Sequence, residues 1–424
     1  MQLIHRFKND FLVIILMLIF ISVYNTNIQV NIIQLVLNTI LLATIILISK
    51  YSIITLLVII SNSVLVPALI QLNTGKSYGL LQMNLVPIHF NQMLFYIFIY
   101  NVIVFLWTNH SNILKNEKKL MKQNFNLSQL TITIICMLAI IFSIVAFPTL
   151  PGIEQSIRFK MLLPGNAWNH FVVVCLIILL SNIRNNRMVQ ITYILVLFWF
   201  LSHGERVDAA GIILGLVLYL VIIKDVKFNI LSIIKYLAGF IILATLFIYI
   251  GNIRINGDAS IVQSFNSIFT FSTISDISYL YNISIDFFDK QTMLHGDITR
   301  WFLAQVVPLV NGPMSFTEIL KQFYPNPGGE FILSGPLMDF GVLGVITMVN
   351  IDFIVIKTIL TKNNRYTFIA YLLLVFAVLR IIWYGRMYVL TAEIYFIPLL
   401  LAMVTLIEAV IKRKEGGVKW RKEF

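Results

Sequence analysis

One stretch of the sequence combines the residue types that acid–base chemistry at a membrane surface requires. It runs from Phe323 to Ile346 and reads FYPNPGGEFILSGPLMDFGVLGVI. Pro325, Pro327 and the glycine pair 328–329 exclude a regular helix, because two N–H donors are missing and two residues lack a Cβ. Glu330 follows directly, and a long apolar run begins a few residues later. A carboxylate on a rigid turn at the mouth of a membrane helix is a candidate general base. The plainer alternative is that these residues only end a loop.

Arginine side chains form the second candidate group, since a planar guanidinium binds phosphate oxygens through paired hydrogen bonds and keeps its charge. The candidates on the predicted outer side are Arg158, Arg206, Arg254, Arg300, Arg380 and Arg386. We expect Arg158, Arg206, Arg254 and Arg386, at four helix mouths, to face one cavity and to hold diphosphate groups. For any single one, an interfacial anchor is an equally good interpretation. Arg380 falls inside an apolar run, where a charge needs a partner, and Glu393 in the next run is a candidate for it.

Other carboxylates on the predicted outer side leave the identity of the base open. Asp339 and Glu205 are alternatives to Glu330, whereas Asp286 and Asp289 fit a solvated helix face. No Asp-x-Asp, His-Glu-x-x-His or phosphate-loop sequence occurs, and both cysteines lie inside apolar runs. The sequence therefore predicts neither a metal site nor a cofactor.

The elements that must position these residues are membrane helices. The chain is 59% hydrophobic, far above soluble globular usage. Apolar runs of the length needed to cross a bilayer predict an all-α polytopic membrane protein with about twelve transmembrane helices. The runs lie near Phe11–Tyr24, Ile28–Ser49, Tyr51–Leu72, Asn91–Trp107, Gln129–Phe147, Trp168–Ile183, Met188–Ser202, Val207–Ile223, Tyr236–Ile250, Leu337–Ile356, Thr367–Trp383 and Tyr388–Ile411.

The distribution of positive charge predicts the orientation of these helices. A cytoplasmic N-terminus places most of the Lys and Arg residues in cytoplasmic loops and in the basic tail, as the positive-inside rule requires. We therefore expect an inner (plasma) membrane protein with both termini cytoplasmic. The net charge of +12 follows from this topology and does not indicate nucleic-acid binding, because no basic soluble domain is present.

This orientation divides the chain into four predicted parts. Residues 1–251 form membrane helices 1–9, residues 252–336 a large external loop, residues 337–411 helices 10–12, and residues 412–424 a basic cytoplasmic tail. In the loop, apolar residues at helical spacing, for example Phe265, Ile268 and Phe269, predict short amphipathic helices.

Three segments give the chain a resemblance to a known family. They are SHGERVDAAG at 202–211, the turn ending in PNPGGEFILSGPLMDFGVLGVI, and WYGR at 383–386. Together with the number of crossings and the single large outer loop, they resemble the Wzy-type O-antigen and oligosaccharide repeat-unit polymerases. In many of those enzymes Arg precedes Gly in the last segment, whereas here Gly385 precedes Arg386.

The resemblance implies a GT-C-like glycosyltransferase that transfers a growing glycan from undecaprenyl diphosphate to a second lipid-linked repeat unit. Glu330 would then be the catalytic base and Arg386 would stabilise the leaving diphosphate, without a metal. The implied partners are undecaprenyl-diphosphate-linked oligosaccharides, the lipid bilayer and a chain-length-regulating co-polymerase. Two alternatives stay open, a lipid-linked oligosaccharide flippase and an O-antigen ligase. The absence of an internal repeat disfavours the flippase.

Overall fold

The protein is described here by a computed structural model. It describes residues 2–24, 30–50, 52–77, 79, 83–85, 88–121, 127–148, 167–203, 205–224, 239, 241–242, 244–246, 248–250, 252–253, 260–269, 272–291, 293–304, 307, 312–325, 328–362, 364–386, 389–390 and 392–420. Over these residues the regular structure is helical, and the one β-bridge joins Glu330 to Tyr384.

The first ten helices lie N-terminal to the predicted external segment. They are α1 (Gln2–Ser22), α2 (Ile32–Ser49), α3 (Ile53–Ser63), α4 (Leu65–Thr74), α5 (Phe90–His110), α6 (Ile113–Met121), α7 (Gln129–Ala146), α8 (Ala167–Leu179), α9 (Arg187–Ser202) and α10 (Arg206–Lys224). The later helices are α11 (Ile261–Phe269), α12 (Ser272–Lys290), α13 (Asp297–Ala304), α14 (Phe316–Lys321), α15 (Ser334–Lys362), α16 (Arg365–Phe376), α17 (Val378–Tyr384) and, after a π-helical turn at Ala392–Phe396, α18 (Ile397–Trp420).

Several of these helices have the length and apolarity of a membrane span. Among the described residues six qualify, namely Ile32–Ser49, Ile53–Thr74, Phe90–His110, Gln129–Ala146, Ser334–Lys362 and Ala392–Ile411, and the pair α16–α17, bent by 60°, would be a seventh. Shorter apolar helices lie at Asn9–Ser22, Trp168–Asn182 and Arg187–Ser202. The predicted all-α membrane protein is confirmed at this level. The count of twelve crossings and the GT-C-like fold stay predictions, and the run Tyr236–Ile250 is described only in part.

Amide side chains join three helices in the interior of the bundle. Asn62 on α3 donates to Asn101 on α5 over 3.0 Å, and Asn101 donates to Asn38 on α2 over 2.8 Å. All three side chains are buried. Hydrogen bonds of this kind between membrane helices contribute roughly 0.6–2 kcal/mol each, so the cluster fixes the register of α2, α3 and α5.

The predicted external segment contains more buried structure than its sequence suggested. The short amphipathic helices that we predicted are present as α11 and α13. Between them, α12 extends over 19 residues and packs against α4, α5 and α15, with Leu280, Tyr281 and Ile285 fully buried. Serine and aspartate residues lower the mean hydropathy of α12, so a search for long apolar runs does not detect its buried face. Helix α12 contacts the turn that carries Glu330, through Tyr279 with Pro325 and Tyr281 with Phe331.

Helix α15 is broken near its beginning. Phe340 and Gly341 leave helical geometry, and Gly341 has a φ of 60°. A Cβ on Gly344 would lie 2.0 Å from the carbonyl oxygen of Pro336, so the first turns fold closely against the longer part of the helix. The long straight part therefore begins after Gly341, later than the start near Leu337 that the sequence predicted.

Candidate functional site

A polar cavity lies where the glycine-rich turn meets the corner after α17. Its volume is about 260 Å³. The residues that line it are Ile298, Thr299, Trp301, Phe302, Ser315, Phe316, Thr317, Gly329, Glu330, Gly335, Pro336, Asp339, Met348, Tyr384 and Arg386. The two residues that the sequence predicted as catalytic, Glu330 and Arg386, thus share one cavity although 56 positions separate them in the chain.

Backbone hydrogen bonds attach the glycine-rich turn to the segment that ends in Tyr384. Gly328 and Gly329 have φ values of 89° and 100°, which non-glycine residues rarely adopt. Beyond them the N–H of Glu330 donates to the carbonyl of Trp383 over 3.1 Å, and that of Ile332 donates to Ile382 over 3.0 Å. A side chain at Gly329 would collide with this segment, since its Cβ would lie 2.9 Å from the Trp383 oxygen. The two glycines therefore do more than end a loop, because they allow this close pairing.

The carboxyl group of Glu330 lies in an environment that favours its neutral form. Burial is the largest influence and raises the pKa, the positive charge of Arg386 lowers it, the negative charge of Asp339 raises it, and the N–H of Gly335 donates to the carboxyl group and lowers it. The result is a pKa of about 7, compared with an ordinary value of 4.5. A carboxyl group whose pKa lies near neutrality both accepts and releases protons readily at physiological pH.

Arg386 is held firmly but keeps hydrogen-bond donors for a ligand. Its Nε and Nη2 atoms donate to the two oxygens of Asp352 over 2.7–3.1 Å, and Nη1 donates to the carbonyl of Ile332 over 2.9 Å. A guanidinium group has five N–H bonds, so one on Nη1 and one on Nη2 are not used by these partners. The side chain is 12% exposed and lines the cavity. It is therefore positioned in advance to bind two oxygens of an anion.

Asp339, which the sequence offered as an alternative base, lines the same cavity and also binds the first turn of α13. It is fully buried, and its two oxygens accept hydrogen bonds from the N–H of Ile298 (3.0 Å), the N–H of Thr299 (2.7 Å) and the Thr299 hydroxyl (2.6 Å). These donors belong to the first turn of α13, so the carboxylate caps that helix from outside. Both oxygens of Asp339 are thus engaged by α13, which leaves Glu330 as the better candidate.

Arg380 forms a buried ion-pair cluster and does not line the cavity. Its Nη2 donates to Glu205 over 2.6 Å, and its Nε and Nη2 donate to Asp208 over 2.7 Å each. All three side chains are at most 7% exposed. Our prediction that Arg380 binds substrate is not supported by this position, and the suggested pairing with Glu393 is wrong. The reason is that Glu205 and Asp208, one turn apart at the start of α10, present both carboxylates to α17.

The remaining arginines do not meet Arg386 in this cavity. Arg206 begins α10 and is half-buried, and Arg300 is exposed and pairs with Asp297 on the same helix. Neither lines the cavity. Arg158 and Arg254 lie outside the described residues. The expected cluster of four arginines is therefore represented in the cavity by Arg386 alone, as far as the described part of the chain extends.

The structure assigns Asp286 a different role from the solvated position that we predicted. Its side chain is only 2% exposed and accepts hydrogen bonds from Lys290 (2.7 Å) and Tyr324 (2.7 Å), and it lies 2.9 Å from Nε2 of His89. Burial raises the pKa of Asp286, but the hydrogen bonds from Lys290, Tyr324 and His89 lower it below its ordinary value overall. Asp289, one turn later, is 35% exposed, so the solvated reading fits Asp289 better.

In the described parts of the chain, no group of three or more His, Cys, Asp or Glu side chains is placed so that it could hold a metal ion. Comparison of the sequence with models of protein families and with curated proteins, and of the structure with solved structures, found no match.

Proposed function

We propose that this protein is a membrane glycosyltransferase that joins lipid-diphosphate-linked oligosaccharide repeat units into a polysaccharide. The observation that carries the proposal is the pairing of Glu330 and Arg386 on one cavity at the mouth of α15. A carboxyl group with a pKa of about 7 supplies a base, and a guanidinium with two unused donors supplies an anion site. Glycosyl transfer from a diphosphate needs these two groups and does not require a metal for charge stabilisation.

The proposed reaction assigns each residue a separate task. A hydroxyl group of the acceptor sugar gives its proton to Glu330 as its oxygen bonds to the anomeric carbon of the donor. The bond between that carbon and the diphosphate oxygen breaks at the same centre, and the electron pair leaves with the diphosphate. Arg386 binds the oxygens on which negative charge increases. The proton on Glu330 passes to water when the product leaves, which restores the base.

The other walls of the cavity suit a carbohydrate. Trp301 and Tyr384 provide aromatic surfaces, and Thr299, Ser315 and Thr317 bring hydroxyl-bearing side chains to the lining. A sugar ring has an apolar face bearing C–H bonds and an edge of hydroxyl groups. Sites of this kind combine apolar contact area with a few polar groups that fix orientation. This lining supports a saccharide ligand more than it supports an inorganic anion alone.

The surface polysaccharide of a strain that lacks the gene tests the proposal. Loss of a polymerase should leave a single repeat unit attached to the acceptor, so that the ladder of chain lengths on a gel collapses to its lowest step. Loss of a ligase would leave no unit attached, and loss of a flippase would keep the unit on the cytoplasmic side. Either of these two patterns would contradict the proposal.

Reporter fusions test the membrane face on which the reaction is proposed to occur. A fusion after Lys119, in the basic segment of α6, should report the cytoplasm. A fusion after Asp289, on α12, should report the external side, because most Lys and Arg residues would then be cytoplasmic. Two fusions that report the same side would refute this orientation.

A further inference from the structure

A second cavity lies beside the first and is almost entirely apolar. Its volume is about 250 Å³, and its walls come from α3, α5, α13, α15, α16, α17, the segment before α15 and the segment after Arg386. Ile351 and Val355 line it and are 44% and 41% exposed on the outer face of α15. Since α15 has the composition of a membrane span, this exposed face is the one that would contact lipid. The cavity is therefore reached from the bilayer.

One carboxyl group in this apolar cavity has no counter-ion among the described residues. The charged side chains that line it are Asp352, Arg386 and Glu393. Asp352 and Arg386 neutralise each other through their paired hydrogen bonds. Glu393 forms no ion pair with the described residues, and its buried Oε1 atom accepts no hydrogen bond from them. With Glu393 ionised, the cavity carries one uncompensated negative charge.

The backbone around Glu393 is also unusual for a membrane helix. Residues Ala392–Phe396 form a π-helical turn, a feature that is rare and frequently occurs at functional sites. The carbonyl of Glu393 accepts a hydrogen bond from the Tyr366 hydroxyl over 3.2 Å, which ties this turn to α16. A buried acid in apolar surroundings costs free energy unless a ligand or a role requires it.

We propose that the apolar cavity is a binding site for a single-chain amphiphilic amine, with Glu393 as the counter-ion of its ammonium group. The apolar walls would contact the chain, and the ammonium N–H groups would satisfy the carboxylate oxygens and cancel the excess charge. The cavity volume matches one chain better than a two-chain lipid. An anionic ligand would add a second negative charge beside Glu393, and a neutral one would leave the carboxylate without compensation. Phe302, Met348 and Arg386 line both this cavity and the cavity of the proposed glycosyl transfer, but binding of the amine at Glu393 can be tested without measuring transfer.

Carbodiimide labelling of the full-length protein in phosphatidylcholine vesicles tests the site. Dicyclohexylcarbodiimide is apolar and reacts with carboxylic acids that it reaches from the bilayer. The acid proton moves to a carbodiimide nitrogen and the carboxyl oxygen bonds to the central carbon, after which the adduct rearranges to a stable N-acylurea. Mass spectrometry of the digested protein then locates the label. We expect a label at Glu393 that the Glu393→Gln variant lacks.

Competition with dodecylamine, which serves as the probe ligand, tests whether Glu393 pairs with the ammonium group of a bound amine. At a concentration about ten times its Kd, it should lower labelling of Glu393 about ten-fold, whereas dodecanol, of equal chain length, should not. Glu408 on the same helix is the internal control, because its carboxylate accepts hydrogen bonds from Ser128 and Thr131. Labelling of Glu408 should be equal with the two compounds.

Three outcomes would overturn the proposal. Absence of label at Glu393 would mean that the cavity is closed to the bilayer. Equal labelling with and without dodecylamine would mean that the acid simply keeps its own proton. Equal protection by dodecanol and dodecylamine would mean that the chain binds without its ammonium group.

Discussion

Replacement of Glu330 by glutamine should lower the activity of the protein and raise its stability at neutral and alkaline pH. Glutamine keeps the shape of the side chain and an oxygen that accepts the hydrogen bond from Gly335, but it does not ionise. Loss of general-base help typically lowers the rate by roughly 10²–10⁴-fold. A group whose only role is structural would give a different result, with stability and activity falling together.

The effect of Glu330 on stability follows from its pKa. The pKa is about 7 in the folded protein and has an ordinary value of 4.5, so between these pH values the folded state holds a proton that the unfolded state has released. Stability therefore falls as the pH rises from 4.5 to about 7 and is constant above that range. At about 1.4 kcal/mol per pH unit, ionisation of Glu330 costs up to about 3 kcal/mol of stability at pH 8.

The Glu330→Gln variant escapes this cost. Relative to the wild type, its stability should increase between pH 5 and pH 8, by at most about 3 kcal/mol. Thermal unfolding in detergent at both pH values measures the change, with scan rates matched because membrane proteins often unfold irreversibly. Chain growth by the same variant should fall at least about 100-fold. Full-length polymer from Glu330→Gln at native expression would refute the role of Glu330 as the base, and a stability difference independent of pH would refute its raised pKa.

Three further substitutions test the surroundings of Glu330. Arg386→Lys keeps the positive charge but loses the paired hydrogen bonds of the guanidinium. Loss of one charge-assisted contact of about 1.5–3 kcal/mol should slow transfer roughly ten- to a hundred-fold and shorten the polymer. Wild-type chain length at equal protein levels would contradict this. Arg380→Met removes the guanidinium that pairs with the buried carboxylates of Glu205 and Asp208 and should lower stability by about 3–5 kcal/mol. Size-exclusion chromatography measures the change as loss of folded protein, and retention of the full folded yield would count against the ion-pair cluster. Asp339→Ala should lower the free energy of unfolding by about 0.5–2 kcal/mol through loss of the cap on α13. The half-buried Asp297→Ala control, which removes only an ion pair with Arg300 on the same helix, should change it by less than about 1 kcal/mol. Equal effects would contradict the capping role.

Local sequence was enough to predict the turn before Glu330 and the corner at Arg386. Proline and glycine restrict the backbone within a few positions, so the rigid turn before Glu330 was visible without tertiary information. Gly385 next to Arg386 likewise indicated a tight corner, and the structure places Gly385 against the Glu330 side chain. Membrane helices were predictable for the same reason, because the bilayer imposes a length on each apolar run.

Partners of the charged residues were not predictable, because they depend on how distant helices pack. Arg380 has Glu393 within reach in sequence, yet its partners Glu205 and Asp208 lie about 170 positions away. The sequence predicted a solvated Asp286 because its partners Tyr324 and His89 are distant from it in the chain. A search for large apolar or aromatic residues at intervals of four, such as Ile277, Tyr281 and Ile285, could have identified the buried face of α12.

The contacts of α12 explain how a carboxyl group with a raised pKa is kept in place. The Tyr324 hydroxyl donates to Asp286 and the Tyr279 hydroxyl donates to the carbonyl of Pro325 over 2.9 Å, so two side chains hold the turn immediately before Glu330. Burial is the main reason for the raised pKa, and burial lasts only while the turn stays docked. An ionised Asp286, stabilised by Lys290, keeps that dock intact at neutral pH. The basicity of Glu330 therefore depends on a helix that contributes no residue to the cavity.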